Sequence, residues 1–146
     1  MLQSIFLINL TATAVMTGVI WTIQIVHYPF FHCVDKQDFS AHMDEHRKKI
    51  SFIVIPVMLA ELITAIGLIF VESEFTGEFI TGIILLALIW ISTAFIQVPS
   101  HSRLADGYIS TEVDRLVTYN WIRTILWTVR LVIMLTVLYQ LSSFDL

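Results

Sequence analysis

Four long apolar runs, residues 4–27, 51–71, 77–98 and 120–141, take up most of this 146-residue chain. Each is long enough to cross a bilayer core that needs ~20 residues of helix. The expected fold is all-α: an integral membrane four-helix transmembrane bundle, one domain over residues 1–146, with the second helix extended back to about residue 39. Composition agrees, with 57% hydrophobic and only 14% charged residues, where a soluble domain carries about a quarter charged. The first run has no basic leader, is too long for a signal core and precedes three more spans, so it is expected to remain as a span. A lone Cys33 excludes an intrachain disulfide and thiol-pair chemistry. The absence of a basic stripe speaks against nucleic acid as a partner.

Lysine and arginine set the expected orientation. An even number of spans puts both termini on one side and the connections 28–50 and 99–119 on the other. Those connections and the adjoining helix end hold Lys36, Arg47, Lys48, Lys49, Arg103, Arg115 and Arg123, seven of the eight basic residues. The opposite side carries Glu72, Glu74, Glu78 and Asp145. The positive-inside rule makes the long connections cytoplasmic and the termini extracytoplasmic, in a bacterial inner (plasma) membrane. Tyr28-Pro29 and Val98-Pro99 are expected to end the first and third helices, because a residue before proline is pushed out of helical geometry. Asp38 or Ser40 is placed to cap the helix that follows. Asp106-Gly107 reads as a turn, and Ser110-Thr111-Glu112 opens a short surface helix leading into the fourth span.

The stretch from Phe39 to Phe70 begins charged and becomes a span. His42, His46, Ile53, Val57, Glu61 and Thr64 recur at helical spacing, so they share one side of it. Glu61 lies ~16 Å beyond Ile50 at ~1.5 Å per residue, and Arg130 lies at nearly the same depth, ~15 Å beyond Asn120. Each alone costs roughly 2.5–3.5 kcal/mol in hydrocarbon. A Glu61–Arg130 contact joining the second and fourth helices is therefore expected, with bidentate hydrogen bonds. It serves equally as a bundle lock or as a substrate-facing pair. Arg123, seven residues earlier, points the same way. Asn9-Leu10-Thr11 fits a glycosylation pattern but starts a buried span.

Polar residues gather at the loop end of the spans: Gln24, His27, Tyr28 and His32; His42 and His46; Thr93, Gln97 and His101; Asn120 and Arg123. All five histidines are on this side. His42 and His46, at i and i+4, offer two imidazoles to a metal, with His101 as a third ligand; a solvated interfacial pair is the plain alternative. The spacing His42-Met43-Asp44-Glu45-His46 matches a short zinc-peptidase motif, but no distal carboxylate ligand accompanies it. His32 and Cys33 sit among aromatics in surface or packing roles. Most tryptophans belong to an interfacial belt or to packing, with Trp121 and Tyr28 the best placed to line a pocket.

These residues carry a resemblance. Tyr28-Pro29, then Phe39 and His42 ahead of a span containing Ile55-Pro56, form one segment. Val98-Pro99-Ser100-His101-Ser102-Arg103-Leu104 is similar to a Val-Pro-x-Asn-x-x-Leu pattern. Asn120-Trp121-Ile122-Arg123-Thr124 is similar to a His-x-x-Arg-Thr or Asn-x-x-Arg-Thr pattern. Together they resemble the anthrone oxygenase-like family of small four-helix membrane proteins. The chain departs from that pattern at His101, where asparagine is usual, and Glu61, His46 and Arg130 lie outside it. The resemblance implies a polar pocket at the cytoplasmic end that handles an aromatic or polyketide-like substrate with oxygen.

The leading expectation is a membrane oxidoreductase or oxygenase acting on a small apolar molecule drawn from the membrane lipids. His42, His46 and His101, with His27, hold a metal (iron, copper or zinc) or act as acid and base. Arg123, Asn120 and Gln97 orient a carbonyl or oxyanion, and Glu61 and Arg130 form the floor, with Tyr28 and Trp121 as pocket residues. One rival is a haem-binding electron carrier ligated by His27 and His101. Another is a transport or assembly subunit with a Glu/Arg track, which at this length would need to form a homo-oligomer.

Overall fold

The computed structural model describes residues 2–71 and 74–143; Glu72 and Asp145 of the acidic side lie outside them. Among the described residues there is no strand. Four helices are long and apolar enough to cross a membrane: Gln3–Cys33, Phe39–Ile69, Thr76–Ala105 and Ser110–Ser143. Each packs on its neighbours in chain order, and the first closes against the fourth. The result is an antiparallel four-helix bundle. Its outer surface is apolar, with Phe52 84%, Phe70 83% and Phe95 75% exposed. A helix that is apolar both inside and outside suits lipid.

The two prolines expected to stop helices do not. In the first span a π-helical turn, Ile23–His27, precedes Tyr28-Pro29, and the chain stays helical to Phe30 before a 3-10 turn at Phe31–Cys33. In the third span a second π turn, Thr93–Gln97, precedes Val98-Pro99, and the helix runs on to Ala105. Tyr28 N–H reaches the Ile23 carbonyl and Val98 N–H the Thr93 carbonyl, each five residues back. Proline's ring clashes with the carbonyl four residues before it, here Ile25 and Phe95. Those residues are the midpoints of the two widened turns, so the π geometry makes room for the ring. The same device is used twice, once in the first span and once in the third.

The other local expectations divide. Asp38 occupies the cap position without a side-chain bond, whereas the Ser40 hydroxyl donates to the Ala105 carbonyl and ties the second helix to the end of the third. Gly107 closes the turn at φ 146°, a conformation open to glycine. Ser110 opens one continuous 34-residue helix to Ser143 rather than a separate surface helix.

Packing alternates along the bundle. An apolar layer at the end of the short turn contains Phe6, Leu68, Phe75, Phe79, Met134 and Val137. A middle layer contains Met16, Ile20, Met58, Ile89 and Trp127, and a third, at the long connections, contains Tyr28, Phe31, Phe39, Met43, Leu104 and Leu116. Between the first two lies Arg130, and between the last two lies Arg123. Two polar layers are thus sandwiched among three apolar ones.

Candidate functional site

Arg130 and Arg123 stand on one helix, seven residues and about 10 Å of rise apart. Arg130 is fully buried and each of its nitrogens has a partner. Nε donates to Glu61 Oε1 at 2.9 Å, Nη1 to the Gly82 carbonyl at 2.6 Å and Nη2 to Asn9 Oδ1 at 2.8 Å. Glu61 accepts in addition from the Thr13 hydroxyl at 2.7 Å and the Trp127 indole N–H at 3.2 Å. Asn9 donates to the Glu61 carbonyl and to Thr64 Oγ1. The expected Glu61–Arg130 contact is present, but through a single nitrogen; the other two reach the third and first helices. This polar layer is closed, and neither residue lines the cavity described below. The expected substrate-facing role for Glu61 and Arg130 gives way to that of a lock joining all four helices.

Arg123 is different. It is 7% exposed, and its hydrogen-bond partners are neutral. Nε and Nη2 donate to Asn120 Oδ1 at 3.0 and 2.5 Å, Nη2 also to Tyr28 Oη at 3.3 Å, and Nη1 to Thr93 Oγ1 at 3.4 Å. Asn120 is oriented in turn by Gln24 Oε1, which accepts from its Nδ2 at 2.9 Å. Among the described residues no carboxylate forms an ion pair with this guanidinium. It borders a cavity of about 290 Å³ lined from all four helices, including Tyr28, His46, Trp90, Gln97, His101 and Arg123. Gln97 is 1% exposed, and among the described residues both its amide oxygen and its amide nitrogen are without a hydrogen-bond partner, as is Trp90 Nε1. Buried amides left unpaired are rare. Here the orphaned donors and acceptor surround a hollow able to take a small oxygen-bearing molecule.

Two imidazoles, His46 and His101, line the loop end of this hollow, and His27 stands behind His46. His27 Nε2 and His46 Nδ1 share a hydrogen bond at 2.8 Å, with ring centroids 4.3 Å apart, and His46 lies 5.5 Å from His101. Tyr28 Oη accepts from Arg123, which leaves its own proton for His101 Nε2 at 2.9 Å. His101 then carries its proton on Nδ1, directed at Met43 Sδ at 3.4 Å. In the tautomer in which His46 Nδ1 donates to His27 Nε2, the His46 Nε2 lone pair is left for a molecule in the cavity, and His46 is then the uncommitted base of the three.

No family model matches this chain, and neither does any curated protein or solved structure. The site therefore stands on its geometry. Arg123, Gln97, His46, His101 and Tyr28 line the cavity as the sequence suggested, and Asn120 positions Arg123 from behind. His42 does not join them: it is exposed and lies with Glu45 and Lys49 along an outer groove. The expected metal trio of His42, His46 and His101 is consequently not assembled, and among the described residues no group of three His, Cys, Asp or Glu side chains is placed to hold a metal. The Nε2 atoms of His27 and His101, the pair expected for haem, are both engaged in hydrogen bonds, and the His46 ring contacts both. Trp121 is 40% exposed and packs edge-on against Trp21 at 5.7 Å, away from the cavity. His32 bridges Tyr108 and Asp114 on the surface.

Sequence reasoning missed two contributors. Asn9 fits a glycosylation pattern in the sequence, yet an amide inside a span with Thr13 four residues on is a polar face that needs a partner. Trp90 was grouped with the belt; only the fold shows its indole nitrogen against the hollow.

Proposed function

We propose that this protein is a membrane-embedded oxidoreductase of the oxygenase type. It acts on a small apolar, ring-bearing substrate whose oxygen is held at Arg123, with the long connections on the cytoplasmic side of a bacterial inner membrane. One observation carries this reading: a buried guanidinium without a carboxylate, beside an unpaired amide, at the wall of a hollow. Such a group in a dry site stabilises negative charge as it develops on a carbonyl oxygen. His46 Nε2 removes a proton from the carbon conjugated with that carbonyl, and the resulting oxyanion is bound by Arg123 and the Gln97 amide. Dioxygen, itself apolar and membrane-soluble, is the oxidant. A CH2 group and O2 give C=O and H2O, which balances as written.

The test uses anthrone as probe with the purified full chain, following oxygen uptake and formation of the 9,10-quinone. Wild type is expected to consume one O2 per anthrone. Arg123→Gln should lower kcat by roughly 10²–10³, and His46→Ala by roughly 10²–10⁴. Turnover that survives both substitutions would remove the assignment.

A further inference from the structure

The hollow has a second neighbour. Along the seam between the first and second helices runs an open groove of about 710 Å³, lined by Ala14, Val15, Gly18, Thr22, Ile23 and Ile53 among others, with His27, His42, Glu45, His46 and Lys49 at its loop end. Ile23, His46 and Ile50 belong to both linings, so groove and hollow adjoin at these three side chains. At its far end the groove shares Val15 with a second depression of about 450 Å³ bounded by Leu7, Thr11, Pro56, Val57 and Ala60. From Thr22 to Leu7 the trough extends about 22 Å. It is mainly apolar along this length, the Thr11 and Thr22 hydroxyls donating to carbonyls of their own helix, and its charged groups lie at the loop end. Gly18 lies within it, and a Cβ there would meet no atom within 4 Å.

We infer that the trough is the binding site for a hydrocarbon tail, and that the substrate is a ring-and-tail lipid whose oxygenated ring lies in the hollow while its isoprenoid or alkyl chain lies along the first–second helix seam. This rests on the reading of the hollow given above and names its substrate class. The argument is one of continuity. A trough that filled with any bilayer chain could end anywhere on the bundle. This one ends at the three side chains it shares with the cavity that holds the unpaired Gln97 amide and Arg123, which has no carboxylate partner among the described residues. The polar groups at its loop end lie at the depth where such a molecule changes from chain to ring.

The experiment measures binding to the full chain in detergent, at fixed detergent concentration, of three probes. These are menadione, a naphthoquinone carrying a four-isoprene tail, and geranylgeraniol, which is a tail without a ring. The quinones represent the product form of a CH2-to-carbonyl oxidation. In wild type the tailed quinone should bind on the order of tenfold or more tighter than menadione, from apolar area covered by the tail. Gly18→Leu, which fills the trough at an exposed position, should abolish that advantage and the binding of geranylgeraniol while leaving menadione unchanged. Arg123→Gln should weaken both quinones and spare geranylgeraniol. If Gly18→Leu leaves both tailed probes unaffected, the inference is overturned whatever the hollow does. If Gly18→Leu removes only co-purifying phospholipid, seen by native mass spectrometry, the trough holds bulk lipid and the inference also fails. Loss of geranylgeraniol binding in Gly18→Leu, with no quinone binding in wild type, would uphold the tail site and refute the reading of the hollow.

Discussion

Arg130 and Arg123 are the same residue type on the same helix, both withdrawn from solvent, yet their surroundings are opposite. Around Arg130 every nitrogen is taken, one by the Glu61 carboxylate, and the ring of donors and acceptors passes through all four helices. Around Arg123 the oxygens are neutral and weakly placed on one side, and the space beyond is a hollow edged by the unpaired Gln97 amide. A membrane interior does not tolerate either charge cheaply. In one case the bundle supplies the counter-charge itself; in the other, among the described residues, it supplies none. Burial of an arginine thus does not distinguish a lock from a site. Its unclaimed partners do.

The largest effect should come from breaking the closed layer. Glu61→Gln leaves the Arg130 charge uncompensated and is expected to destabilise the bundle by about 3–5 kcal/mol, as removal of one partner of a buried pair does. Thermal unfolding in detergent would measure it. Replacing both members with Glu61→Met and Arg130→Met should recover much of that loss, because the pair's desolvation cost disappears with it. A double variant as unstable as Glu61→Gln would mean that the Asn9 and Gly82 contacts, not the ion pair, hold the layer.

Arg123→Gln sharpens the contrast from the other side. Glutamine keeps a donor for Asn120 Oδ1, so the change in unfolding temperature should be small, while activity falls by the roughly 10²–10³ expected for an oxyanion donor. The ratio of lost activity to lost stability should be high at Arg123 and low at Glu61. Equal ratios would erase the distinction between the two layers.

Next in size is Gly82→Ala. An added Cβ would stand 2.8 Å from Arg130 Nη1 and 3.3 Å from Met134 Cε. A free arginine tip would step aside, but this one is pinned by three hydrogen bonds, so overpacking of about 1–3 kcal/mol is expected. The same substitution at Gly18, where the space is open, should cost nothing measurable.

The sequence made one polar layer legible and half hid the other. Glu61 and Arg130 could be paired because depth along a helix is a simple count of residues, and two isolated charges at one depth in lipid have few alternatives. Neither the single-nitrogen contact nor the roles of Asn9 and Gly82 could be counted in that way. At the second layer Arg123, Gln97 and His101 were found from their position at the span ends. His42 shares the outer groove with His46, as spacing of i and i+4 implies, but only His46 also reaches the hollow, because the face they share is wider than the cavity. The prolines misled for a related reason. A rule for the residue before proline says nothing of a π turn upstream, and two such turns decide which way Gln97 and His27 face.

The smallest effect concerns Gln97 itself. Its amide, buried without a partner, carries a desolvation cost that an isosteric apolar side chain would not. Gln97→Leu should therefore stabilise the bundle by about 1 kcal/mol, seen as a higher unfolding temperature, while weakening quinone binding and slowing anthrone turnover. Stability and function would move in opposite directions at one residue, which a merely structural glutamine does not allow. If Gln97→Leu destabilises the chain instead, the amide is satisfied within the bundle, and the hollow loses the donor that separates it from the closed layer around Arg130.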